Sequence, residues 1–113
     1  MLIYLWIIEW NEGSKDSTIL VWPIDFKTGA ISEPKYKLYG HDNEITSVEI
    51  NEILSIIVSG DKNGTVIMHD LNGYEILKRF EHKDREIKNI RIHNYGIILI
   101  IFENEIISRK YEN

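Results

Sequence analysis

Apolar and polar residues alternate along most of this chain with a period of two positions. The stretches TSVEI at 46–50 and NIRI at 89–92 show the alternation that is typical of half-buried β-strands. Two runs, MLIYLWIIEW at 1–10 and GIILIIF at 96–102, are almost wholly apolar and too short to span a bilayer as helices, so they are predicted to be buried strands. Apolar residues do not keep a helical spacing for three turns anywhere, and helix is expected to be nearly absent.

Turn-forming residues separate the predicted strands at regular intervals. They occur at 15–17, 27–29, 63–64, 72–73 and 94–96. Short strands with regular turns are typical of a sandwich, a barrel or a propeller.

An internal recurrence favours the propeller. KLYGHDNEITSVEI at 37–50 and KRFEHKDREIKNIRI at 78–92 share Lys, an aromatic residue, His, Glu and Ile in order, with His41 and His82 separated by 41 positions. Four short strands in a unit of about this length are the signature of a propeller blade. A β-sandwich would show seven or so strands without this recurrence.

A second alignment supports the first. GSKDSTILVW at 13–22 matches GDKNGTVIMH at 60–69 at a step of 47, which places Trp22 opposite His69. The extra residues fall in PIDFKTGAISEP at 23–34, which is predicted to be a loop. The period is therefore about 41 to 47 residues.

These units resemble WD repeats, which run from Gly-His through two strands to Ser-x-Asp-Gly and then Trp-Asp. The chain has Gly-His at 40–41 and SIIVSGDKNGTVIMHD at 55–70. The resemblance implies an all-β partial WD-repeat β-propeller of about two and two-thirds blades. The implied segments are 1–39 (the end of one blade, a linker and an outer strand), 40–80 (one full repeat) and 81–113 (a partial third repeat).

The WD-repeat resemblance also implies hydrogen-bonded residues that brace each blade. In that family a His, a Ser or Thr, an Asp and a Trp form the set. The matching positions in the full repeat are His41, Asp61, Asn63 and His69, of which His41 alone keeps the family residue. The matching positions in the earlier repeat are Ser14, Asp16 and Trp22. Neither repeat carries the full set, so weaker bracing than the family norm is expected.

The segment at 36–80 is similar, more narrowly, to the C-terminal WD-repeat region of BEACH-domain proteins of the neurobeachin type. The Gly-His-Asp opening, the V-x-S-G-x-K-x-G pattern and a His in place of Trp carry this resemblance. It implies a non-catalytic protein–protein interaction scaffold in vesicle trafficking, located in the cytoplasm, with membrane association through a parent protein. The partner stays unidentified.

Catalytic and metal-binding alternatives find weaker support. His41 and Asp61 could form a His–carboxylate pair with Ser59 nearby, but a strained nucleophile turn and a substrate pocket are missing from the pattern. DKNGT at 61–65 has its glycine at the fourth position of a calcium loop rather than the sixth. The spacing of the four histidines matches no zinc motif. No catalytic residue, cofactor or metal is predicted, and an enzyme fragment of propeller type is the disfavoured alternative.

Charge and cysteine content narrow the partners further. The net charge of −5 disfavours nucleic acid and anionic membrane surfaces, which both attract basic proteins. Without cysteine, disulfides and thiolate chemistry are excluded. Closed propellers need four to eight blades. The chain is therefore expected to be part of a longer WD-repeat protein, to associate with itself through unpaired blade edges, or to be unstable alone.

Overall fold

The computed structural model describes residues 2–31 and 36–112, and the regular elements in this part of the chain are β-strands. The prediction of an all-β chain is confirmed. The strands are β1 (Leu2–Asn11), β2 (Asp16–Asp25), β3 (Tyr36–His41), β4 (Ile45–Asn51), β5 (Ile56–Asp61), β6 (Thr65–Asp70), β7 (Ile76–Glu81), β8 (Asn89–His93), β9 (Ile97–Ile101) and β10 (Ile106–Lys110).

The strands form three antiparallel sheets, each built from consecutive segments of the chain. Sheet A has the order β1-β2-β3, sheet B the order β4-β5-β6-β7, and sheet C the order β8-β9-β10. Hairpin-linked sheets of three to four strands, packed face to face in chain order, are propeller blades. The predicted partial propeller is confirmed, with sheet B as the four-stranded blade.

The turn between β5 and β6 shows why the strands reverse where they do. Gly64 has a positive φ of 92°, which glycine adopts without a steric penalty. A Cβ at this position would lie 1.8 Å from the carbonyl oxygen of His82. The turn therefore needs glycine both for its backbone conformation and for its close contact with the loop that leads to sheet C.

Two apolar cores hold the sheets together, and sheet B contributes to both. Alternate side chains of β5 point to opposite faces, because successive residues of a strand do so. Ile56 and Val58 join the core toward sheet C, whereas Ile57 joins the core toward sheet A. All six residues of β5 are buried.

Two expectations need correction. Residues 23–25 do not belong to a loop but continue β2, where Pro23 lies opposite Tyr4, while residues 32–35 of the same stretch lie outside the described part. The first apolar run is a strand, as expected, but it is not buried. Five of its large apolar side chains are 38% to 46% exposed; they are Ile3, Leu5, Trp6, Ile7 and Trp10.

Candidate functional site

A buried polar set lies between sheets A and B. His41 ends β3 of sheet A, and its Nδ1 lies 2.8 Å from Oδ2 of Asp61 at the end of β5 in sheet B. Its Nε2 lies 2.7 Å from Oγ of Ser59, two residues earlier on the same face of β5. The three side chains are at most 3% exposed. The set therefore links two neighbouring blades through one imidazole ring.

The carboxylate of Asp61 organises this set. Its Oδ1 accepts hydrogen bonds from the backbone N–H groups of Asn63 (2.9 Å) and Thr65 (3.0 Å). Burial raises the pKa of Asp61, but the hydrogen bonds from His41, Thr65 and Asn63 outweigh it, so the pKa lies below its usual value of 3.8. An ionised Asp61 accepts a hydrogen bond from Nδ1–H of the imidazole, and Nε2 and the Ser59 hydroxyl form the second hydrogen bond of the ring.

His69 extends the polar contacts between the two sheets but is only partly satisfied. Its Nε2–H donates to the carbonyl oxygen of Tyr39 at 3.1 Å, whereas its buried Nδ1 has no hydrogen-bond partner among the described residues. Burial is the largest cause of a pKa below the usual 6.5. Close by, Nη1 of Arg79 donates to the carbonyl oxygen of Gly40 at 2.9 Å. Sheet B thus makes four hydrogen bonds to the last three residues of β3, which are Tyr39, Gly40 and His41.

The other sequence-predicted site residues lie outside this set. The side chain of Asn63 is exposed, and its backbone N–H alone contacts Asp61. Ser14 Oγ donates to Asp16 Oδ1 at 2.7 Å in the exposed turn between β1 and β2. Trp22 is partly buried on β2 opposite Leu5. Sequence comparison did not name Ser59 as a bracing residue, although its place two positions before Asp61 put both on one strand face.

The boundary between sheets B and C carries a different arrangement at the equivalent place. His82 Nδ1 contacts the carbonyl oxygen of Gly64 at 3.2 Å, and its ring lies against Phe102 with 5.4 Å between centroids. Ile100 and Phe102 stand 41 positions after Ser59 and Asp61. Apolar side chains therefore stand in the places of Ser59 and Asp61, while the His82 ring keeps polar contacts with the Gly64 carbonyl oxygen and with Nη2 of Arg109, which lies 3.4 Å from its Nε2.

Buried serines tie each sheet to the backbone of the next. Ser17 Oγ on β2 accepts from the N–H of Ile45 at 3.0 Å, and Ser47 Oγ on β4 accepts from the N–H of Ile90 at 2.9 Å. Neither serine was predicted from the sequence to have this role. Each hydroxyl joins its own sheet to the next one. The bonded residues are 28 positions apart for Ser17 and 43 positions apart for Ser47.

His41, Ser59 and Asp61 have the atoms of a nucleophile, a base and an orienting carboxylate, but all three side chains are buried. General acid–base chemistry needs a proton donor or acceptor within reach of a bound substrate. Within residues 2–31 and 36–112, no group of three or more His, Asp or Glu side chains is placed to hold a metal. In the same ranges, no helix is long and apolar enough to cross a membrane.

Comparisons with known proteins find that the chain is similar to short segments of BEACH-domain proteins. It is 34% identical over 81 residues to Beige protein homolog 1 of Schizosaccharomyces pombe, covering 72% of this chain and 3% of that protein. It is 30% identical over 98 residues to BEACH domain-containing protein lvsD of Dictyostelium discoideum, covering 84% and 3%. It is 25% identical over 113 residues to BEACH domain-containing protein B of Arabidopsis thaliana, covering 83% and 4%. The chain thus spans a small part of these relatives.

Solved structures support the fold independently. The computationally designed Ika4 protein superposes with a TM-score of 0.63 and 16% identity, covering 93% of this chain and 64% of that chain. The β-propeller domain of Cps50 (Swd1) from Myceliophteria thermophila superposes with a TM-score of 0.57 and 16% identity, covering 92% and 37%. No family model matches the chain. The comparisons confirm both the propeller fold and the resemblance to BEACH-domain proteins.

Proposed function

We propose that this chain, a partial WD-repeat propeller similar to a short segment of BEACH-domain proteins, is a non-catalytic protein–protein interaction scaffold. The burial of His41, Ser59 and Asp61 carries this proposal. Their hydrogen bonds are made within the protein, where they fix sheet A against sheet B. The same atoms cannot serve a substrate, so the exposed loops and edges are the parts that meet other molecules.

The loop from sheet B to sheet C offers one ordered surface for such contacts. The guanidinium of Arg85 lies 3.9 Å from the ring centroid of Phe102, and its Nη2 lies 2.6 Å from Oε1 of Glu105. Arg85 and Phe102 border a cavity of about 290 Å³ that is lined by charges of both signs. A surface that is already ordered loses less conformational entropy when a partner binds.

The similarity to BEACH-domain proteins supports a role within a larger trafficking protein. In this proposal the propeller segment acts in the cytoplasm, meets membranes through its parent protein, and contacts protein partners rather than nucleic acid. The net charge of −5 is in keeping with the last point. The segments 1–39, 40–80 and 81–113 would then be successive blade portions, with His41, Asp61 and His69 bracing the first boundary.

A segment exchange tests the proposal directly. The matching segment of S. pombe Beige protein homolog 1 is replaced by this chain, and the chimera is expressed in cells that lack the native protein. We expect it to accumulate normally, to retain the proteins that co-purify with the native protein, and to restore the trafficking phenotype. A matched chimera with Gly64→Val, which cannot form the turn before β6, should fail in all three respects.

Two results would contradict the proposal. One is a chimera that accumulates normally but retains none of the co-purifying proteins. The other is a turnover activity of the isolated chain that disappears in His41→Gln and Ser59→Ala variants with unchanged far-UV circular dichroism. The second result would support the alternative of a propeller-type enzyme fragment.

The exposed β1 edge favours a second candidate, in which the isolated chain associates with itself. Long apolar edge strands are prone to pair with further strands. Light scattering across a concentration series tests this candidate. A mass that rises with concentration supports self-association, and a monodisperse monomer excludes it.

A further inference from the structure

A cavity of about 290 Å³ separates the loop that leads from sheet B to sheet C from the turn between β9 and β10. Phe102 is buried beside it, and the guanidinium of Arg85 lies over the Phe102 ring. The cavity therefore has one apolar wall that is held in place. Its lining side chains are Asp84, Arg85, Glu86, Lys88, Phe102, Glu103 and Asn104.

The charges around the cavity are not balanced within the molecule. Both cations are engaged, since Lys88 Nζ lies 3.1 Å from Glu86 Oε2 and Arg85 is paired as described above. Among the described residues, no cation lies within ion-pair distance of the carboxylates of Asp84 and Glu103. The cavity thus keeps an excess of negative charge at its rim.

Sheet B shows what closes the equivalent place. Glu44 stands 42 positions before Glu86, and Lys62 stands 41 positions before Glu103. Lys62 Nζ lies 2.5 Å from Glu44 Oε2, and the Lys62 N–H donates to the Glu44 carbonyl oxygen at 2.9 Å. Among the described residues, neither contact has a counterpart between Glu86 and Glu103. Sheet C therefore has a carboxylate where sheet B has an ammonium group, and the space between its loop and turn stays open.

The chemistry and size of this space fit one lysine side chain. The carboxylates of Asp84 and Glu103 are acceptors for the three N–H donors of an ammonium group. The Phe102 wall offers apolar contact to the methylene stem, which long charged side chains pack along apolar surface. Pockets for small molecules enclose about 300–1,000 Å³, so the cavity lies at the lower limit of that class and suits a single side chain better.

We propose that this cavity binds the ammonium group of a lysine from a partner protein, in the place that Lys62 fills in sheet B. The proposal rests on the interaction-scaffold function and names the side chain that one of its surfaces takes. The net charge of −5 favours a basic partner over a second copy of this chain, which would repel the first.

A titration followed by amide chemical shifts tests the proposal with the 113-residue chain and a Gly-Lys-Gly peptide with blocked ends. We expect saturable shifts at 84–88 and 102–105, which salt weakens. The same peptide with an acetylated lysine should not bind, because acetylation removes the charge. The affinity should fall about twofold to fivefold in Glu103→Gln. The matched control, Glu12→Gln, makes the same charge change on an exposed turn of sheet A and should alter the affinity by less than about 1.5-fold.

Glu103→Lys gives a sharper result, because it supplies an ammonium group from the turn itself. We expect this variant to pair with Glu86 as Lys62 pairs with Glu44, to lose peptide binding, and to melt at the same temperature or higher. The proposal is overturned by a peptide affinity that ignores Glu103→Lys, by shifts elsewhere on the chain, or by absence of binding.

The S. pombe chimera then distinguishes a partner's lysine from a cation of the parent protein. Loss of a co-purifying protein from the Glu103→Lys chimera, at unchanged accumulation, supports the proposal. Lower accumulation would assign the cation to the parent protein, and retention of every co-purifying protein would show that no partner uses the cavity; either result overturns the proposal. If the unsubstituted chimera still works, these failures reject the lysine site and keep the scaffold function.

Discussion

Removal of the Asp61 carboxylate is the most direct test of the bracing role proposed for the buried polar set. Asp61→Ala leaves three donors without their acceptor: Nδ1–H of His41 and the N–H groups of Asn63 and Thr65. Each unsatisfied buried group costs about 1–3 kcal/mol. We expect a loss of about 3–5 kcal/mol, which is large against a total of about 5–15 kcal/mol for a domain.

Asp61→Asn separates the charge from the shape of this side chain. The amide oxygen can keep both backbone N–H donors, so the loss should be about 1–2 kcal/mol. Because the folded pKa of Asp61 lies below 3.8, the unfolded chain binds this proton more readily. The carboxylate therefore stabilises the fold above pH 3.8, and its contribution is lost as pH falls through the folded pKa. The difference between the two proteins should shrink in that acidic range.

Urea unfolding followed by tryptophan fluorescence and circular dichroism measures these differences, provided that the two probes coincide. Asp42→Ala, at an exposed site directly after His41, is the control and should change the free energy of unfolding by less than about 0.5 kcal/mol. An Asp61→Ala protein as stable as this control would refute the reasoning, because the hydrogen bonds of Asp61 would then have no net value.

Three further predictions concern single positions. The urea midpoint should fall as pH drops from 7 to 5, because the pKa of His69 is lower in the folded chain and the unfolded chain therefore binds protons more readily below pH 6.5. His69→Phe should reduce this pH dependence, and an unchanged dependence would show that another group causes it. Gly64→Ala should lower the melting temperature severely, since its Cβ would overlap the His82 carbonyl, whereas Gly13→Ala, with open space around it, should have little effect in the same thermal scan. Ser47→Ala removes one of the two acceptors of the Ile90 N–H, which keeps its bond to Asn89 Oδ1, and should cost about 0.5–1.5 kcal/mol in urea unfolding; an unchanged urea midpoint would show that the Ser47 bond has no net value.

Local chemistry made most of the fold predictable. Alternation identified the strands, and turn residues such as Gly64 marked where they end, because these signals depend on neighbours within a few positions. The recurrence between His41 and His82 then supplied the blade. The extent of β2 through Pro23 escaped prediction, since proline is tolerated at few strand positions and is usually taken as the end of a strand.

Contacts between sheets were harder to foresee. The exposure of Trp6 depends on what lies beside β1 in space, and an apolar sequence alone does not decide it. Ser59 and Ser47 are ordinary serines in the sequence, and their bonds join positions 18 and 43 residues apart. His82 shows the converse, because its repeat position matches His41 while its neighbour Phe102 gives it a different environment.

The division of β5 between two cores determines how the molecule should come apart. When sheet A opens, Ile56 and Val58 stay buried in the core shared with sheet C. When sheet C opens, Ile57 stays buried in the core shared with sheet A. Loss of sheet B exposes both cores at once. Amide hydrogens of β5 should therefore exchange most slowly with solvent, and the flanking sheets should open first. A pulling force applied at the two ends of the chain would peel away sheets A and C before it reached the central one.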